Sequence, residues 1–194
     1  MTQPVTLLLG VHAHQPVGNF PEVIEDAHQR CYKPFIETLH AYPEFRFAAH
    51  FSGWLLDWLR ERHPADMALL AEMVARGQVE LFSSGDTEPV LAAIPHRDRV
   101  GQLRALNEKL AAWTGVTPTG AWLTERVWES SVVPALAETG IAYVTVDDYH
   151  FFCTGKSADE LDGFFSTEDD GTRLDLFPIS EALRYRLPFS PAHE

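Results

Sequence analysis

A chain of 194 residues that is 45% hydrophobic is long enough for one well-buried globular domain, or for part of a larger one. Its 28 acidic residues against 15 basic ones give a formal net charge of −13, which argues against nucleic acid or an anionic membrane as partner and is compatible with a neutral ligand such as a glucan. The two cysteines, Cys31 and Cys153, lie far apart and match no metal spacing or redox pair. The apolar start, residues 5–11, is too short to span a bilayer and follows no basic segment. With no targeting signal visible, a cytoplasmic location is expected.

Residues 6–12 form a near-continuous apolar run, the pattern of a parallel strand covered on both faces. The run gives way to His14-Gln15-Pro16, where Pro16 stops further pairing. Between residues 22 and 42, Val23, Ala27, Phe35, Ile36 and Leu39 are spaced as on a helix, with Pro34 a candidate break. Residues 46–50 read as a second strand, and Ser52 as the N-cap of the helix that follows. A helix over 65–76 stops at Gly77. Residues 78–82 alternate like a strand and dissolve into a polar stretch ending at Pro89. The longest helical pattern, 96–113, carries Val100, Leu103, Leu106, Leu110 and Trp113 on one stripe. Next come a short strand over 121–123, a helix over 132–138 closed by Gly140, and strands over 142–146 and 173–178. Asp169-Asp170-Gly171-Thr172, just before the last strand, has turn chemistry.

Strands alternating with helices predict an α/β fold built on a parallel sheet or barrel of βα units. The polar residues with chemical potential fall just after strand ends: His12 and His14, Glu80 through Glu88, Glu125, and Asp147 through His150. In βα folds that end is where sites are built. His12 and His14 project to the same side of an extended segment because side chains alternate, so they suit either sugar hydroxyls or a metal. Asp147 would complete a ligand set with them, leaving a metal-dependent polysaccharide deacetylase-like hydrolase as an alternative. Of Glu80 and Glu88, Glu80 is the preferred candidate, because a carboxylate within a strand is costly to bury without a partner. Glu125 is framed by Trp122 and Trp128, whose indoles suit stacking on pyranose rings. Trp54, Trp58 and Trp113 read as core.

Taken together, these motifs resemble glycoside hydrolase family 57, and within it the 4-α-glucanotransferase and α-amylase-type members. The matching residues are His12-Ala-His14-Gln15-Pro16, Gly77-Gln78-Val79-Glu80, Trp122-Leu-Thr-Glu125-Arg126-Val-Trp128 and Asp147-Asp148-Tyr149-His150-Phe151. The likeness runs from about residue 5 to 191. It implies the N-terminal part of a (β/α)7 barrel, an incomplete relative of the eight-stranded form, with residues 1–194 as a single truncated catalytic domain. It also implies a retaining double displacement on α-1,4-glucans or maltooligosaccharides, with no cofactor or metal. Glu125 would be the nucleophile. His12, His14, Gln15, Glu80, Trp122, Arg126, Trp128, Asp147, Asp148 and His150 would serve substrate binding. The family's acid/base aspartate lies in a later segment, beyond the equivalent of Pro191, and Asp169 and Asp170 fall too early to replace it. The chain alone is therefore expected to be weakly active or inactive, and a non-catalytic glucan-binding remnant is a further alternative. Ser83-Ser84 also departs from the pattern, which has small apolar residues or glycine there.

Overall fold

The computed structural model describes residues 6–187, 189–191 and 193; Val5, where the apolar run begins, lies outside them. Among these described residues, seven strands can be followed in chain order: β1 (Gly10–Ala13), β2 (Phe47–Phe51), β3 (Val79–Phe82), β4 (Gly120–Ala121), β5 (Tyr143–Asp147), β6 (Phe165–Asp169) and β7 (Thr172–Ile179). β1, β2 and β3 pair in parallel, as do β4, β5 and β7. A parallel bridge between Ser83 and Ala121 joins the two sets, through Ser83 N–H to Gly120 O at 2.9 Å and Trp122 N–H to Ser83 O at 2.8 Å. Neighbours in the wall thus follow chain order without the reversal of a doubly wound sheet, which is the arrangement of an open section of a barrel. The expected α/β class is what the structure has.

Among the described residues, eight α-helices accompany the strands: α1 (Pro21–Ala27), α2 (Lys33–His40), α3 (Gly53–Arg62), α4 (Pro64–Ala75), α5 (His96–Thr114), α6 (Val133–Glu138), α7 (Asp148–Phe152) and α8 (Glu181–Arg186). Alternation decides which strand residues meet them. Phe47, Ala49 and Phe51 of β2 and Val79 and Leu81 of β3 pack with Leu55, Leu56, Leu59, Leu70 and Met73 from the helices. Val144 and Val146 of β5 and Leu174 and Leu176 of β7 pack with Val132, Val133 and Leu136. The α5 stripe joins the two cores, with Leu103 in the second and Leu106 and Leu110 in the first. The other strand face carries His12, His50, Glu80, Phe82, Tyr143, Thr145 and Asp147, and it is this face that holds the polar chemistry.

Three local expectations change, and a fourth is met. Pro34 does not break its helix: a π-helical turn (His28–Tyr32) precedes it and Pro34 sits in the first turn of α2, where no N–H is needed. Ser52 occupies the N-cap position of α3, but its hydroxyl caps nothing and is buried without a partner. The first strand is shorter than its apolar run and not covered on both faces, with Leu7 64% and Leu8 70% exposed. The Asp170-Gly171 turn does lie before the last strand, and both residues have positive φ (49° and 76°), as a two-residue hairpin turn requires. It pairs β7 with the antiparallel β6, a strand the periodicity did not reveal.

Candidate functional site

Strands β1 and β2 place His12 beside His50 in register, and their Nδ1 atoms are 2.7 Å apart. The ring centroids are 4.9 Å apart and the planes differ by 16°. Face-stacked rings cannot bring atoms much closer than roughly 3.5 Å, so the two imidazoles meet edge to edge and nearly coplanar. His50 is fully buried, and its Nε2 lies 2.8 Å from Ser84 Oγ. Trp122 stacks on the other ring, with its centroid 4.6 Å from that of His12.

Glu88 stands among three histidines. Its Oε1 lies 3.3 Å from His50 Nδ1 and 3.9 Å from His12 Nδ1, and its Oε2 contacts His14 Nδ1. The loop after β3 is built to hold it. Asp86 N–H donates to Gln102 O, Thr87 N–H donates to the Gln102 side chain, and Glu88 N–H donates to Gly85 O. Glu88 itself adopts φ 53°, a left-handed conformation that non-glycine residues rarely take. Burial, and secondarily the negative charge of Glu125, push the Glu88 carboxyl up to about 7. Burial, then the neighbouring His14 and Arg126, take His12 down to about 4. His50 is held well below the usual imidazole range by burial and by His12 and His14.

Glu125 leaves the sheet in a single 3₁₀ turn after β4. Both Glu125 (φ 54°) and Arg126 (φ 56°) are left-handed, at a cost of order 1 kcal/mol each that the surrounding structure must offset. This double inversion swings the chain, so that Arg126 Nε donates to Asp147 Oδ2 at 3.0 Å. Trp122 Nε1, Thr124 Oγ1 and Asp147 Oδ1 are buried with no hydrogen-bond partner among the described residues. Such orphans are uncommon in folded proteins.

The structure therefore brings together His12, His14, Trp122, Arg126 and Asp147, and sets Glu125 near enough to Glu88 to act on its charge. The other expected residues lie elsewhere. Glu80 sits one layer down, pairing in register with Ala48 rather than His50, and accepts the Tyr143 hydroxyl at 2.5 Å. That bond passes over Gly120, where a Cβ would lie 2.3 Å from Tyr143 Cζ; burial and Glu80 push the phenol pKa up. Gln15 is engaged by Tyr32 and Asn19. Asp148 Oδ2 accepts Glu181 N–H at 3.2 Å. Trp128 and His150 line a separate cavity of about 260 Å³ with Phe151 and Phe165. Sequence reasoning missed His50 and Ser84 and ranked Glu88 behind Glu80. The available signal was position, since all three lie at or just beyond a strand's carboxyl end.

Among the described residues, two sets have ligand atoms close enough to share a metal: His12, His50 and Glu88, and, among the helices, His28, His63 and Asp66. In the first set the geometry does not favour it. Two nitrogens on one Zn²⁺ at ~2.0–2.1 Å each sit about 3.3 Å apart at the tetrahedral angle, whereas two imidazole edges facing at 2.7 Å share a proton. The set expected from sequence, His12 and His14 with Asp147, is not assembled, because Asp147 faces Arg126.

The sequence matches the pattern of the family described as glycosyl hydrolase family 57 over residues 8–192. It is 48% identical over 191 residues to an alpha-amylase of Pyrococcus furiosus, covering 98% of this chain and 29% of that protein. It is 49% identical over 187 residues to a 4-alpha-glucanotransferase of Thermococcus kodakarensis, covering 96% and 28%. The crystal structure of 4-alpha-glucanotransferase from Thermococcus litoralis superposes with a TM-score of 0.94 at 46% identity, over 97% of this chain and 30% of that one. The chain thus spans a little under a third of the length of the relatives it matches. From a match covering nearly all of its residues, the chain belongs to glycosyl hydrolase family 57.

Proposed function

We propose that this chain carries the nucleophile half of a retaining active site acting on α-1,4-glucans, with Glu125 as the attacking carboxylate. In this reading Glu125 bonds to the anomeric carbon as the glycosidic C–O bond breaks. The departing oxygen takes its proton from a second carboxyl, and an acceptor hydroxyl or water then displaces Glu125. The observation that supports it most is the left-handed pair Glu125–Arg126 at the exit of β4. Strain of this kind persists where a side chain must be aimed. The relatives named as alpha-amylase and 4-alpha-glucanotransferase add to it. His12, His14, Trp122, Arg126 and Asp147 would contact the donor sugar.

Glu88 does not supply the second carboxyl. Its side chain is 3% exposed and is surrounded by imidazoles, so it holds the histidines and does not reach a leaving group. The acid would come from segments of the relatives that these residues do not span, and without it turnover of a glucan falls by ~10²–10⁴-fold. The test is calorimetric titration of the chain with maltoheptaose alongside a product assay. Binding that Trp122→Ala weakens at least tenfold, with turnover slowed as above, fits the proposal. Absence of binding, or disproportionation at an undiminished rate, contradicts it.

A further inference from the structure

We propose that Ser84, acting through His50, is a positioning residue that fixes the tautomer of His12, so that His12 presents Nε2 to the donor sugar as a hydrogen-bond acceptor. The inference rests on the reading above that His12 faces a sugar. It follows from the direction of one hydrogen-bond chain. The Ser84 hydroxyl has a single proton and donates it to Gly85 O at 2.9 Å. At 2.8 Å from His50 Nε2 the same oxygen must then accept, so Nε2 of His50 carries the hydrogen. His50 is fully buried and is held well below the usual imidazole range by burial and by His12 and His14, so it is neutral with one N–H, which leaves its Nδ1 as a lone pair. The 2.7 Å edge-to-edge contact with His12 Nδ1 then requires the proton on His12. Neutral His12, with Nδ1–H committed inward, has its lone pair on Nε2, which makes no hydrogen bond among the described residues.

The opposite direction is the competitor. There Ser84 would donate to His50, His50 Nδ1–H would point to His12 and to Glu88 Oε1 at 3.3 Å, and His12 would offer an N–H outward. Only a fully ionised Glu88 draws the chain that way, and the burial of that carboxyl opposes its ionisation. The two directions differ in what the sugar must supply: a hydroxyl that donates in the first, an oxygen that accepts in the second.

Long-range ¹H–¹⁵N correlation of the histidine-labelled chain reads the tautomers directly. The expected spectrum shows His12 protonated at Nδ1 and His50 at Nε2. Ser84→Ala removes the acceptor, so it should reverse both assignments and weaken maltotetraose binding by about tenfold. A wild-type His12 protonated at Nε2, or a Ser84→Ala spectrum with both tautomers unchanged, overturns the proposal. If Ser84→Ala does not fold, the wild-type spectrum decides alone. If the wild-type chain binds no maltotetraose, the sugar-site reading fails while the tautomer result still decides the role of Ser84.

Discussion

Two clusters in this molecule are built from the same side chains and behave differently. Between the helices, fully buried His28 at the start of the π-helical turn donates to Asp66 at 2.8 Å, and His63 donates to Glu25 at 2.9 Å. The two rings stack face to face with centroids 3.7 Å apart. Each imidazole has its own carboxylate, and the four residues tie the α1 region to the α3–α4 corner. At the strand ends, three imidazoles share the single carboxylate of Glu88, and His12 and His50 meet by their edges. One-to-one pairing satisfies every charge locally and makes a clasp. Three-to-one sharing leaves Glu88 short of compensation and puts the cluster's hydrogen bonds in a chain with an open end. The first arrangement serves packing, and the second leaves capacity for a ligand.

The largest expected effect that separates the two is on chemistry. With an α-maltosyl fluoride donor, Glu88→Gln should lower the rate of fluoride release by about 10²-fold, because His14 loses its carboxylate anchor and small misplacements are costly. Asp66→Asn should leave that rate within about twofold. Equal losses in both variants would erase the distinction.

Next in size is a difference in pH response. The folded Glu88 carboxyl, at about 7, lies above its ordinary value of 4.5, so the folded state holds an extra proton between those limits. Stability carried by this group is complete below pH 4.5 and is lost as pH rises towards 7, by roughly 3 kcal/mol. His12 contributes the opposite slope between about pH 4 and 6.5, since its pKa is lowered. The clean readout is therefore the difference between wild type and Glu88→Gln in urea unfolding, with the variant gaining on wild type as pH goes from 4.5 to 7. A flat difference would show that Glu88 is ordinarily ionised.

Smaller again is the clasp itself. Asp66→Ala leaves both His28 nitrogens without a partner, because Nδ1 already has none. It should cost about 1–3 kcal/mol in stability with no change in maltooligosaccharide affinity. Glu25→Gln, at an exposed side chain, should not move the unfolding midpoint measurably. If it did so as strongly as Asp66→Ala, the two halves of the clasp would not be independent pairs.

How far the sequence led can be argued from a few residues. The βα order was legible because each apolar strand is followed by a helix-spaced stripe, and the strand-end placement of His12, His14 and Glu125 follows from that order. Glu80 and Glu88 show where reading stops. Alternation says which face a strand residue takes but not its depth along the barrel, and Gly120 opens a path to Tyr143 that no local pattern announces. Trp128 looked like a second wall beside Glu125. The two left-handed residues between the tryptophans turn the chain away, and left-handed φ at non-glycine residues is set by tertiary context. His50 carried the same positional signal as His12 but stood alone, and a lone histidine ending a strand reads as core until its neighbour is known.

The central claim is that Glu125 attacks the anomeric carbon. It can be tested on these 194 residues, because fluoride departs without needing a proton from the protein. Mass spectrometry after incubation with α-maltosyl fluoride should show one maltosyl group on the peptide containing Glu125, and none in Glu125→Gln. An adduct on Glu88, or no adduct under conditions where the chain binds maltooligosaccharide, would contradict it.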